Sequence, residues 1–207
     1  MKRIWLLLAL CTPLMAQAQG AADLFTGGDA KAGEAKAAVC AACHGPAGVS
    51  AVPEWPKLAG QHSAYIAEQL KQYKSGARQN AVMLGQAMNL SEQDMKDLGA
   101  YYAAQAASPG VASEASVAVA EKIYRGGVAS RGIPACSGCH GPTGTGNAAA
   151  KYPRLAGQHA AYTALQLKAY RSGERAAGAN GQMMAAVASQ LSDEEIEALA
   201  SYLNGLQ

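Results

Sequence analysis

One five-residue pattern occurs twice in the chain, as Cys40-Ala41-Ala42-Cys43-His44 and as Cys136-Ser137-Gly138-Cys139-His140. Two thiols one helical turn apart, followed at once by an imidazole, suit covalent attachment of a c-type haem. The thiols can add to the two vinyl groups on one porphyrin edge, and the adjacent histidine then supplies the proximal ligand to iron. Competing chemistries fit less well. A thioredoxin-like pair needs no following histidine and sits near a strand–helix–strand pattern, which the sequence does not offer. A structural zinc site groups four ligands closely, whereas each motif brings three. The spacing predicts two haems, one held by Cys40 and Cys43 with His44 on iron, the other by Cys136 and Cys139 with His140.

The second axial ligand separates an electron carrier from an enzyme with an open iron position, and a true ligand should recur in both halves. Met83 lies eight residues before Ser91, and Met184 lies eight before Ser192. These two thioethers are the symmetric pair and the expected iron ligands, in the His/Met combination that raises a haem potential. Met88, Met95 and Met183 read as gap-filling core residues. His62 and His159 are also symmetric and leave bis-histidine ligation as the alternative, although each opens a helix, where a role at the helix end or domain interface is simpler. Pro56 and Pro153 follow the motif histidines by 12 and 13 residues. Their carbonyls can accept the proximal imidazole N–H, fixing its tautomer and raising its basicity.

The elements that carry these residues read as helices throughout, with no competing strand pattern. Asp29 can cap a helix over Ala30–Ala38 that delivers the chain to Cys40. Gly45 to Pro56 reads as loop. Ser63 to Ser75 is amphipathic, with Tyr65, Ile66, Leu70 and Tyr73 at helical spacing and Gly76 as its stop. Ala77 to Leu90 carries little regular signal. Ser91-Glu92-Gln93-Asp94 forms a capping pattern for a helix running to about Ala107, and Ser108-Pro109-Gly110 ends it. The second half repeats this order. Pro56-Lys57-Leu58-Ala59-Gly60-Gln61-His62 returns as Pro153-Arg154-Leu155-Ala156-Gly157-Gln158-His159, and Ser192-Asp193-Glu194-Glu195 is again a capping box. The offset grows from 96 at the cysteines to 97 at this stretch and 101 at the last helix, as small loop insertions in a duplicated domain would give. The loop Arg125 to Ile133 has no counterpart before Cys40.

Tyr65, Tyr73, Tyr102, Tyr162, Tyr170 and Tyr202 fall at apolar-face spacing and are expected to pack on the porphyrins, with a phenol reaching a propionate as a further option. Lys71, Lys74, Arg78, Lys168, Arg171 and Arg175 crowd the helix ends. They read as solvated charge, with a cationic docking rim as the functional alternative.

Composition agrees with cofactor-filled domains. The chain has 23 glycines and one phenylalanine, so two porphyrins would supply apolar volume that its side chains lack. Lys2 and Arg3 before the short apolar run Ile4 to Met15, then Ala16-Gln17-Ala18, read as an export signal cleaved before Gln19. The run is too short to span a bilayer. Cys11 leaves with it, and the four remaining cysteines all lie in the two motifs, so no thiol is left for a disulfide. Of 17 basic residues, Lys2 and Arg3 also leave, which balances the 15 acidic ones. Nothing resembles a nucleic-acid-binding surface.

Taken together, the two C-x-x-C-H motifs, the Pro-[Lys/Arg]-Leu-Ala-Gly-Gln stretches, the paired methionines and the Ile196-Glu197-Ala198-Leu199 to Tyr202 ending resemble the dihaem cytochrome c4 family. The resemblance spans about Gly28 to Leu206. It implies an all-α fold of two class I cytochrome c domains related by a pseudo-twofold axis, with haem propionates facing across the interface. The expected division is a signal peptide at 1–18, a first domain at 19–107, a linker at 108–116 and a second domain at 117–207. Two covalent haem c groups are the implied cofactors. The implied role is that of a periplasmic, often membrane-associated electron carrier with no catalytic residues. Its expected partners are redox proteins: a donor such as a quinol–cytochrome c oxidoreductase and a terminal haem–copper oxidase as acceptor. Symmetric methionines argue against a dihaem peroxidase. The competing reading is the haem subunit of a dehydrogenase, such as a flavocytochrome that oxidises sulfide, whose flavin would lie on another polypeptide.

Overall fold

The computed structural model describes residues 22–207, so the export-signal reading and Cys11 lie outside the described residues. Helices α1 (Ala30–His44), α2 (Ser63–Ser75), α3 (Ala81–Ala87) and α4 (Glu92–Ala103) build the first domain. Helices α5 (Glu114–Gly126), α6 (Ser137–His140), α7 (Ala160–Arg171), α8 (Gly178–Ala188) and α9 (Asp193–Gly205) build the second. Among the described residues β structure is confined to two isolated bridges, Val128 with Ile133 and Asn147 with Tyr152.

Local chemistry sets the helix ends. Asp29 caps α1 by accepting from the amides of Lys31 and Ala32. Ser91 and Ser192 each form a complete capping box, with Asp94 and Glu195 as the reciprocal partners. Gly76 ends α2 in the left-handed conformation, at φ 74°.

Three elements differ from their sequence reading. First, α1 runs on through the motif to His44 instead of stopping at Ala38. An Ala-rich run costs little to keep helical, and α1 lies along α4. Second, the stretch with little regular signal contains α3, capped by the Asn80 side chain. Third, α4 ends at Ala103 rather than near Ala107 and α5 begins at Glu114, capped by Ser113, so the stretch between the two helices is 104–113.

The layers follow from which faces are apolar. α4 packs against both α1 and α2, and α9 packs against both α5 and α7. The first core joins Ala37, Ile66, Leu98 and Tyr102 with Cys40 against them. The second is broader and includes Tyr124, Ile196, Leu199 and Tyr202, with Cys136 against it. Both motif helices are therefore anchored at the edge of a core. Close crossings depend on glycine: a Cβ at Gly33 would fall on the Asp97 carbonyl, and one at Gly99 would lie 2.5 Å from the Ser63 carbonyl oxygen.

Candidate functional site

The last turn of α1 carries Cys40, Cys43 and His44, and α6 with its N-cap carries Cys136, Cys139 and His140. In each, the two cysteines are three residues apart, so their side chains share one helix face. No disulfide joins them. Burial raises the Cys40 thiol pKa and pushes that of Cys136 up to about 11, so both rest as neutral thiols.

Each motif histidine is buried, with 8% of His44 and 6% of His140 exposed. His44 Nδ1 lies 2.9 Å from the Pro56 carbonyl oxygen, and His140 Nδ1 lies 3.0 Å from that of Pro153. A carbonyl can only accept, so Nδ1 carries the proton and Nε2 keeps its lone pair. Burial lowers the pKa of both rings, against the opposing pull of those carbonyls, and favours the neutral imidazole. Nε2 of neither ring has a hydrogen-bond partner among the described residues. Two cysteines on one face beside an oriented imidazole with a free lone pair are a donor set that fits haem c.

The sequence-selected methionines sit at matching depths. Met83 is in the first turn of α3, its amide donating to Asn80 Oδ1 at 2.9 Å, and Met184 is in α8. Both are half-buried. By contrast Met88 is 55% exposed and Met183 is 44% exposed, so neither fills the core as expected, while Met95 is buried. The alternative histidines lie elsewhere. His159 Nε2 donates to the Ser50 carbonyl of the opposite domain at 2.8 Å, which removes that nitrogen from metal ligation. His62 precedes α2, and its Nε2 is buried without a partner among the described residues.

The surroundings of the two motifs are not identical. The Tyr124 hydroxyl donates to the Gly141 carbonyl at 2.5 Å, just behind His140. In the first domain Tyr102, packed in the cluster that holds Cys40, has a buried hydroxyl without a partner among the described residues.

Two sets of side-chain contacts recur in matched pairs across the domain interface. Gln158 lies along the backbone of Lys57, accepting from its N–H at 2.9 Å and donating to its C=O at 3.0 Å. Gln61 does the same to Arg154, at 2.9 Å for both bonds. These contacts clamp the segments that directly follow Pro56 and Pro153. Arg78 reaches Tyr162 and Gln166 of the second domain, and Arg175 reaches Tyr65 and Gln69 of the first.

This corrects the reading of two of the basic residues, while Lys71 and Lys74 are exposed as read. Arg78 and Arg175 are buried interface groups, 6% and 7% exposed, and form no solvated rim. Lys74 is tied to the Leu90 carbonyl, and Lys71, Lys168 and Arg171 pair with Glu92, Glu197 and Asp193. Tyr65 and Tyr162 likewise turn their hydroxyls to the interface arginines. Sequence reasoning missed this network, although its members stand at repeat-matched positions.

A cytochrome c family profile matches residues 30–104 and 122–207. The chain is 52% identical over 181 residues to cytochrome c4 of Thiocapsa roseopersicina, which covers 86% of this chain and 93% of that one. It is 37% identical over 198 residues to a thiosulfate dehydrogenase electron acceptor of Stutzerimonas stutzeri, covering 94% and 89%. Among solved structures, reduced recombinant cytochrome c4 from Pseudomonas stutzeri superposes with a TM-score of 0.82 at 46% identity, covering 87% of this chain and all of that one.

Proposed function

The chain belongs to the cytochrome c family, as a dihaem c-type cytochrome of the cytochrome c4 type that carries electrons and is not an enzyme, and on that premise we propose its ligands, compartment and partners. His44 and Met83 hold one iron, and His140 and Met184 hold the other. The observation that carries this reading is the repeated geometry of a buried imidazole whose Nδ1–H is fixed by a proline carbonyl 2.9 and 3.0 Å away.

When bound, haem c supplies a one-electron ferric–ferrous couple. The protein's own groups do the rest. Cys40, Cys43, Cys136 and Cys139 retain the cofactor through thioether bonds, so it is not lost outside the cytoplasm. The Pro56 and Pro153 carbonyls hold the imidazoles in one tautomer and make Nε2 more basic. The Met83 and Met184 thioethers raise the potential, toward the oxidase end of a chain. The glutamine clamps hold the two proximal loops together, so an electron entering one domain has a fixed route to the other.

The proposed compartment is the periplasm, with the protein peripheral to the membrane. Among the described residues no helix is long and apolar enough to cross a bilayer. The proposed acceptor is a terminal haem–copper oxidase, with a quinol–cytochrome c oxidoreductase as donor. A second reading rests on the relative named as a thiosulfate dehydrogenase electron acceptor, which covers most of this chain. On that reading the donor is a periplasmic dehydrogenase of an inorganic sulfur compound, and it replaces the flavocytochrome alternative.

Potentiometric titration of the holoprotein with visible spectra tests the ligand set. Two low-spin, positive-potential centres with the weak far-red sulfur-to-iron band are expected. Met83→Ala and Met184→Ala should each abolish the band at one haem. A high-spin centre, or a band insensitive to both substitutions, overturns the assignment. Stopped-flow reduction by a purified thiosulfate dehydrogenase, set against reduction by a quinol–cytochrome c oxidoreductase, separates the two donor readings.

A further inference from the structure

Tyr102 stands near the end of α4. It is 2% exposed and belongs to the core cluster against which Cys40 packs. Its ring is held from two sides: a Cβ at Gly48 would lie 2.8 Å from Tyr102 Cδ1, and the Tyr101 ring is 5.0 Å away between centroids. The ring is therefore fixed, and its buried hydroxyl has no hydrogen-bond partner among the described residues. Leaving a buried hydroxyl unpaired is costly, so this one calls for an acceptor.

The polar group beside it is the Cys40 sulfur. Burial is the main cause of the raised Tyr102 pKa, and the neighbouring Cys40 adds to it. The phenol in turn works against burial by drawing the Cys40 thiol pKa back down. Sulfur and hydroxyl are thus neighbours, with no hydrogen bond of normal geometry between them.

The second domain is built differently at this place. The Tyr102 carbonyl accepts from Gly60 N–H at 2.9 Å, and the Leu203 carbonyl accepts from Gly157 N–H at 3.1 Å. Leu203 is therefore the structural counterpart of Tyr102, and it has no donor. Leu206 covers Gly144 as Tyr102 covers Gly48, since a Cβ at Gly144 would lie 2.9 Å from Leu206 Cδ2. Tyr124 does lie near Cys136, but its proton is committed to the Gly141 carbonyl at 2.5 Å. Among the described residues, only the first domain brings an uncommitted phenol O–H to a motif cysteine.

Thioether formation changes what the Cys40 sulfur can do. Its S–H adds across a vinyl double bond, the sulfur bonding to one carbon and the hydrogen to the other. The thiol proton is then gone, and the remaining sulfur can only accept. A phenol with its proton free is the matching donor. A hydrogen bond there draws electron density from the porphyrin edge, which favours the ferrous form.

We propose that Tyr102 is a positioning residue for the first haem alone: its hydroxyl donates to the Cys40 sulfur of the thioether, fixes that attachment edge and raises that haem's potential. This rests on the dihaem reading above.

The test is potentiometry and proton NMR of the purified holoprotein, with the pyridine haemochrome spectrum giving haem per chain. NMR contacts from each thioether bridge to its cysteine methylenes tell the two haems apart. Tyr102→Phe keeps the ring and removes only the hydroxyl. It is expected to shift the ferric–ferrous constant of the first haem about threefold toward ferric, about 28 mV at about 59 mV per tenfold change. The second haem should stay in place. Tyr102→Leu installs the residue type of the second domain. It should shift the first haem as far, and it serves if the phenylalanine variant does not accumulate. In the ferrous wild type, which is diamagnetic when low-spin, the Tyr102 hydroxyl proton should exchange slowly and show a nuclear Overhauser contact to the Cys40 methylene. An unchanged first potential in both variants overturns the proposal, as does an equal shift of both haems. A shift in Tyr102→Leu without one in Tyr102→Phe makes the effect one of packing and overturns it too. So does a hydroxyl proton in contact with bound water instead of Cys40. Fewer than two haems per wild-type chain would instead sink the dihaem reading itself.

Discussion

Gln61→Ala isolates the contact that fixes the domains to each other. The Gln61 side chain, 7% exposed, accepts from Arg154 N–H and donates to Arg154 C=O, both at 2.9 Å, and its Oε1 also accepts from His62 N–H at 3.0 Å. Alanine strands three backbone groups at once. A buried group left without a partner costs about 1–3 kcal/mol. Arg154 is only half-buried, so water re-solvates part of the loss and the low end applies. The expected cost is about 2–3 kcal/mol, which for a domain pair of this size lowers Tm by about 5–10 °C. Scanning calorimetry of the holoprotein should show that fall in the interface-dependent transition, and Gln158→Ala should match it through Lys57. The visible spectra of both haems should stay low-spin, because no iron ligand is touched. An unchanged Tm in both variants would refute the reasoning, since it would mean that the clamps carry no net stability.

The remaining expectations concern single elements. Ser192→Ala removes the cap of α9 and should cost about 1 kcal/mol, read as a small fall in Tm of the second domain; a Gly at the same position should cost less. Gly99→Ala places a Cβ 2.5 Å from the Ser63 carbonyl oxygen, so α2 and α4 must separate, at about 1–3 kcal/mol, with urea unfolding of the first domain as the measurement. Asp97 is pulled upward by burial, but the Asp29 amide, Gln93 and Lys36 outweigh this and hold its pKa below 3.8. Its stabilisation is therefore complete above that value and is lost as pH falls through the lower folded value. Asp97→Asn should flatten the acid arm of the first domain's stability curve, followed by Soret circular dichroism; an unchanged arm would show that Asp97 does not contribute.

Features set by neighbours in sequence were legible. The capping serines, the stop at Gly76 and the motif spacing all depend on residues within a few positions, and the structure places them as read. The extent of α1 was underread although its signals were local: the Ala-rich run past Ala38 favours helix, Gly45-Pro46 is the first stop, and α1 ends at His44 with Gly45 as its C-cap. α3 was missed because seven residues are too few to show a 3.6-residue period, and Gly85 lies within them. Arg78 and Arg175 were misread for a different reason. A cation beside Gly76 or Gly173 looks solvated from local context, and its acceptors Tyr162 and Tyr65 lie 84 and 110 residues away.

That network still left a trace in the sequence, which the duplication makes readable. At the 97-residue offset Gln61, His62, Tyr65, Gln69, Tyr73 and Arg78 pair with Gln158, His159, Tyr162, Gln166, Tyr170 and Arg175 without a change of residue type. Some neighbours between them changed: Glu68 faces Leu165, and Gln72 faces Ala169. An apolar core position explains its own persistence by burial, but a glutamine or arginine on a helix face does not. In an interface with twofold pseudosymmetry each residue meets both its own domain and the other one, so a change in one copy breaks contacts that the other copy still requires. Gln69 accepts from both arginines, and Gln166 does too. Replacing either glutamine alone would strip an acceptor from two buried cations at once. Gln69 and Gln166 therefore match across the repeat because their two roles cannot be altered separately, whereas Lys71 with Lys168 and Ser75 with Ser172 match while bonding only within their own domains.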